Sequence, residues 1–86
     1  MIADVDRMAG KVWETLGQKG EVSIAQLPRI LKQKTEIVYQ AVGWLARENK
    51  VQYKSKGGKV YVALTAAEQH IYEHSDTSRH KDKVLV

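Results

Sequence analysis

The sequence predicts an α+β fold in the order α-β-α-α-β-β-α, a three-helix core carrying a β-hairpin and one extra helix at the C-terminal side. Three observations carry this. Apolar residues recur at helical spacing in three separate stretches. Two alternating runs flank Gly57-Gly58. A Thr65-x-x-Glu68 pattern then opens a further helical stretch.

The first stretch, IADVDRMAGKVWETL, sets Ile2, Val5, Met8, Ala9, Val12, Trp13 and Leu16 on one stripe of an amphipathic helix. Gly17 or Gly20 ends it through the left-handed backbone that glycine tolerates. EVS follows as a short extended segment. Ser23-x-x-Gln26 then reads as a capping box opening a short helix, with Ile24, Leu27, Ile30 and Leu31 inward. Pro28 affects only the first turn, so that helix survives.

Lys32-Gln33-Lys34 is a tight polar turn, and Thr35 is the expected N-cap of a third helix over 35–49. Glu36 is favourable beside the positive helix terminus. Ile37, Val38, Ala41, Val42, Trp44 and Leu45 cover one side, while Glu36, Tyr39, Gln40, Gly43 and Arg47 gather on the other. Asn49 supplies a left-handed stop.

A hairpin over 50–64 turns at Gly57-Gly58, a pair suited to type I′. Its register pairs Val51 with Leu64, Tyr53 with Val62 and Ser55 with Val60 on the inner face. Outside, Gln52 faces Ala63, Lys54 faces Tyr61 and Lys56 faces Lys59. The last helix, of roughly ten residues, runs through AAEQHIYEH with Ile71 inward and Tyr72 partly covered. Two short helices joined by a tight turn and followed at once by a basic hairpin make a winged helix-turn-helix over 1–74. The polar, aperiodic residues 75–86 are expected to be a disordered tail.

AVGWLARENKVQY, residues 41–53, resembles a small prokaryotic winged helix-turn-helix family whose members pair an alanine with G-W-L-A-R-E and a basic step into the first wing strand. VWETL at 12–16 and VSIAQL at 22–27 resemble that family's first helix and the lead into its second, so the likeness spans about 3–65. It implies the winged fold, a nucleic-acid role without an established activity, and homodimers among some members. Two departures stand out: the turn 32–34 lacks the usual small residue, and a C-terminal helix and tail are added.

The 86 residues give room for one domain, and 43% hydrophobic with 28% charged residues is a globular composition. The chain has no cysteine, which excludes a disulfide framework and a Cys-based zinc site. It has neither a signal-peptide run nor a membrane-spanning stretch, and a cytoplasmic protein is expected. The net charge of +4 is uneven: residues 47–61 alone carry +4, against +1 before them and −1 after. A local excess of this kind favours an anionic partner.

The expected partner is double-stranded DNA, with the third helix in the major groove and the wing on phosphates. The candidate residues are Lys34, Thr35, Tyr39, Gln40, Gly43, Arg47, Lys54, Lys56 and Lys59. Gln40 and Arg47 can read base edges, and the lysines can hold phosphates. Gly43 costs about 1 kcal/mol inside a helix, a cost that close approach of a partner would justify. Lys56 opposite Lys59 is a repulsive cross-strand pair at a hairpin tip, where phosphate would relieve it. The same features also fit a solvated helix face, which Glu36 favours, and an edge strand guarded by lysines.

HIYEH at 70–74 matches the H-x-x-E-H zinc pattern, with His70 and His74 on one helix face. A catalytic zinc needs a third ligand and a closed cleft, and only Asp76 or His80 of the tail could supply the ligand. No catalytic residue, metal, cofactor or small-molecule substrate is therefore expected. Trp13 and Trp44 lie at the margins of their stripes, as interface anchors often do, so a homodimer through the first or last helix is expected. The rival function is a protein-interaction module without DNA binding, since fold alone does not choose.

Overall fold

The computed structural model describes residues 2–75, with side chains described from Val5 to His74. Helix α1 (Ile2–Lys19) leads to strand β1 (Val22–Ser23), a 3-10 turn (Ile24–Gln26), α2 (Leu27–Leu31), α3 (Thr35–Arg47), strands β2 (Val51–Lys56) and β3 (Lys59–Leu64), and α4 (Ala66–Ser75). The expected element order is thus observed. The tail expected over 75–86 lies outside the described residues, except Ser75, the last residue of α4.

The helical stripes meet as their spacing requires. Met8, Ala9, Val12 and Leu16 of α1 pack with Val38, Ala41, Val42 and Leu45 of α3, and Leu27, Val22, Val51, Val62, Leu64 and Tyr72 close the core. Leu16 and Leu27 are fully buried. Burying a side chain of that size contributes about 2 kcal/mol. Gly20, at φ 83°, ends α1, and its amide donates to the Leu16 carbonyl.

The second helix departs from expectation. Ser23 makes no capping hydrogen bond, and the chain enters a 3-10 turn in which the Leu27 amide bonds the Ile24 carbonyl. Only then does α2 begin, with Pro28 in its first turn, where a missing N–H costs nothing. Shortening to five residues leaves Ile30 exposed rather than inward.

Two matching reversals bracket α3. After α2, Lys32 adopts φ 57°, with its amide on the Arg29 carbonyl and the Gln33 amide on the Pro28 carbonyl. After α3, Asn49 adopts φ 61°, with its amide on the Ala46 carbonyl and the Lys50 amide on the Leu45 carbonyl. Both are Schellman motifs. The N-cap of α3 is Lys34, not Thr35, and no side chain caps it.

The sheet has the order β1-β3-β2, antiparallel throughout. All six expected pairs of the hairpin are present, from Val51 with Leu64 to Lys56 with Lys59. Gly57 and Gly58 both have positive φ, as a type I′ turn demands. The inner face is buried only at its base. Tyr53 and Val60 are 48% and 40% exposed because the ribbon projects past the core.

The capping box expected at α4 does not form. The Thr65 hydroxyl donates to the Asn49 carbonyl, and Glu68 accepts instead from the indole of Trp13. The inward residue of the helix is Tyr72, at 7% exposure, and Ile71 is outward at 47%. Tyr72 lies edge-on to Trp13 (5.4 Å, 64°) over Gly17, where any Cβ would overlap its ring. The absence of a side chain at Gly17 chooses Tyr72 over Ile71.

Candidate nucleic-acid interface

The outer face of α3 is bare. Thr35, Glu36, Tyr39, Gln40 and Arg47 are exposed, and a Cβ built on Gly43 would meet nothing within 4 Å. This face holds hydrogen-bonding side chains around a point where only backbone stands. Its position is fixed from behind by Val38, Ala41, Val42 and Leu45, and at both ends by the two left-handed reversals. A helix so held can be offered to a groove without fraying.

The wing gathers Lys54, Lys56 and Lys59 on the outer face of the ribbon, opposite the face of Tyr53, Ser55 and Val60. They are not equivalent. Lys56 Nζ lies 2.7 Å from Glu21 Oε2 and 5.6 Å from the centre of the Tyr61 ring. Its hydrogen bond, with added attraction from Lys56 and Lys54, holds the Glu21 carboxyl below its ordinary range despite some opposing burial. The repulsion expected between Lys56 and Lys59 is therefore partly relieved inside the chain. Among the described residues, Lys54 and Lys59 have no ion-pair partner.

Two grooves flank α1 where it crosses the back of α3. One, of about 360 Å³, is lined by Arg7, Met8, Lys11, Gln33, Lys34 and Ile37. The other, of about 350 Å³, runs between Trp13 and Trp44, with Asp6, Gly10, Lys50, Glu68 and Ile71 around it. Trp44 is 37% exposed there, the half-burial its marginal position on the stripe leads one to expect. Arg7 and Lys11 were not singled out by the sequence. Their one signal was i, i+4 spacing on the polar side of α1, and the helix crossing alone brings them to Lys34.

His70 and His74 are exposed, their rings 3.9 Å apart. His74 Nδ1 donates to the His70 carbonyl over 2.9 Å, since a carbonyl can only accept. Among the described residues no group of three or more His, Cys, Asp or Glu is placed to hold a metal ion, and Asp76 and His80 lie outside them. No described helix is long and apolar enough to cross a membrane.

A family model described as a winged helix-turn-helix domain (DUF2582) matches residues 3–64. The uncharacterized protein MJ1608 of Methanocaldococcus jannaschii is 39% identical over 54 residues, which are 59% of this chain and 76% of that protein. The solution NMR structure of protein BT2368 from Bacteroides thetaiotaomicron superposes with a TM-score of 0.68 at 39% identity, over 80% of each chain. The transcriptional regulator HlyU of Vibrio vulnificus also gives 0.68, at 18% identity, over 80% of this chain and 72% of its own. At that identity the likeness is one of fold.

Proposed function

This chain belongs to the winged helix-turn-helix (DUF2582) family, and we propose on that premise that it is a non-enzymatic, double-stranded-DNA-binding domain acting in transcriptional regulation. In this reading α3 enters the major groove. Gln40 and Arg47 meet base edges, Tyr39 stands beside them, and Gly43 admits the duplex closely. Lys34 and Thr35 approach phosphate at the start of α3, and Lys54, Lys56 and Lys59 do so from the wing. The observation that carries the reading is the bare outer face of α3, held at both ends, next to a ribbon with two ammonium groups that have no ion-pair partner among the described residues. The regulator likeness of HlyU agrees with it at the level of fold.

The test is a titration of labelled duplex by fluorescence anisotropy at several salt concentrations. Affinity should fall steeply with salt, by a log–log slope of about 0.9 per phosphate neutralised. Lys54→Gln, Lys56→Gln and Lys59→Gln together should flatten that slope. Absence of binding at low salt, or a slope untouched by the triple change, would sink the proposal.

A second reading rests on the groove between Trp13 and Trp44, where Trp44 and Ile71 are both exposed. An aromatic and an aliphatic side chain at one groove suit a protein contact, including a homodimer. Sedimentation of the wild type against Trp44→Ala decides the homodimer: a dimer that the change dissolves supports this surface, and a monomer at high concentration removes self-association from it.

A further inference from the structure

The wing is not the only place where cations collect. Arg7 and Lys11 stand one helical turn apart on α1, and the crossing of α1 over α3 brings both to Lys34, at the groove floored by Met8 and Ile37. All three cations are exposed, and none has an ion-pair partner among the described residues. Among the described residues no carboxylate lines this groove: Asp6 turns to the Trp13 side of α1, and Glu36 lies on the exposed first turn of α3. Three like charges around one concave, partly apolar groove repel one another, and they gain most from a multivalent anion.

The position decides which anion. The groove lies at the first turn of α3, whereas the wing is rooted beyond its last turn, at Val51. A helix of thirteen residues is about 20 Å long, wider than the major groove of about 12 Å in which such a helix lies. A sugar–phosphate backbone therefore runs past each end of α3. We infer that Arg7, Lys11 and Lys34, with the side-chain amide of Gln33, form a second phosphate-binding track, which grips the DNA backbone at the end of α3 remote from the wing root. This rests on the DNA-binding reading above and extends it to α1, which then belongs to the interface as well as to the core. The expected duplex site is correspondingly longer than α3 and wing alone would cover.

The test compares three full-length proteins on one labelled duplex: wild type, Arg7→Gln/Lys11→Gln, and Lys54→Gln/Lys59→Gln. Each double change should lower the salt slope by about two. The affinity gap between wild type and the α1 variant should narrow about tenfold between about 50 and about 200 mM salt. Arg7→Lys/Lys11→Arg should bind with the wild-type slope, and unchanged thermal melting shows that the losses are not unfolding. Wild-type affinity and slope in the α1 variant, with loss in the wing variant, would overturn this track and leave DNA binding intact. A wild-type protein that ignores duplex DNA would overturn both.

Discussion

Trp13 Nε1 donates to Glu68 Oε1 over 2.8 Å, joining the first helix to the last across 55 positions of the chain. With the Gln69 amide on the Gly17 carbonyl and the Tyr72 ring against Trp13, this bond docks α4 on α1. Hydrogen bonds to charged acceptors contribute about 1.5–3 kcal/mol, less where partly solvated. Trp13→Phe and Glu68→Gln should each lower stability by about 1 kcal/mol in urea denaturation. The double variant should lose little more than either alone; full additivity would show that the pair is not coupled.

Gly17→Ala tests the seat of Tyr72. Alanine favours a helix over glycine by about 1 kcal/mol, yet its Cβ would overlap the Tyr72 ring. The net effect should be a loss of about 2 kcal/mol. In a Tyr72→Ala background the sign should reverse, and Gly17→Ala should then stabilise by about 1 kcal/mol.

Lys32 holds a left-handed backbone that costs a β-carbon-bearing residue about 1 kcal/mol or more. Lys32→Gly should raise stability by about 1 kcal/mol in the same denaturation assay. A loss would mean that the lysine side chain contributes more than its backbone costs.

Gly43→Ala separates folding from binding. The added methyl meets open space inside the chain, so the helix should gain about 1 kcal/mol. If a duplex approaches there, affinity should fall although stability rises. Higher stability with unchanged DNA affinity would remove Gly43 from the interface.

Glu21 links the wing to pH. Its folded carboxyl ionises below the usual range because Lys56 favours the charged form. The stabilisation is thus fully present above the unfolded value and is lost as pH falls through the depressed folded one. Glu21→Gln should flatten the acid side of the stability profile. At neutral pH it should also free Lys56 and steepen the salt dependence of duplex binding, which anisotropy measures directly.

Period-two patterning and the Gly57-Gly58 pair made the hairpin register readable, because one slipped residue would turn Val51, Val62 and Leu64 to solvent. The α3 stripe and the Asn49 stop were readable for the same local reason. The capping boxes were not. A Thr-x-x-Glu pattern says nothing of competing partners, and Trp13 claims Glu68 from 55 positions away. Nor could the short α4 tell Ile71 from Tyr72 before the notch at Gly17 was known. The cations at Arg7, Lys11 and Lys34 lie far apart in the chain, and a helix crossing has no signature in either segment alone.

The hairpin leaves and rejoins the body at one point: the Thr65 amide donates to the Lys50 carbonyl, and the Thr65 hydroxyl to that of Asn49. Strands so stitched are about 5 Å apart at their feet. The exposed tip, residues 54–60, lies beyond both the buried Val51, Val62 and Leu64 and the pairing with β1, so ribbon tips of other length or charge can be grafted there without moving α3 or α4. Sequence in this scaffold can thus diversify at its tip while the body stays under separate selection for folding.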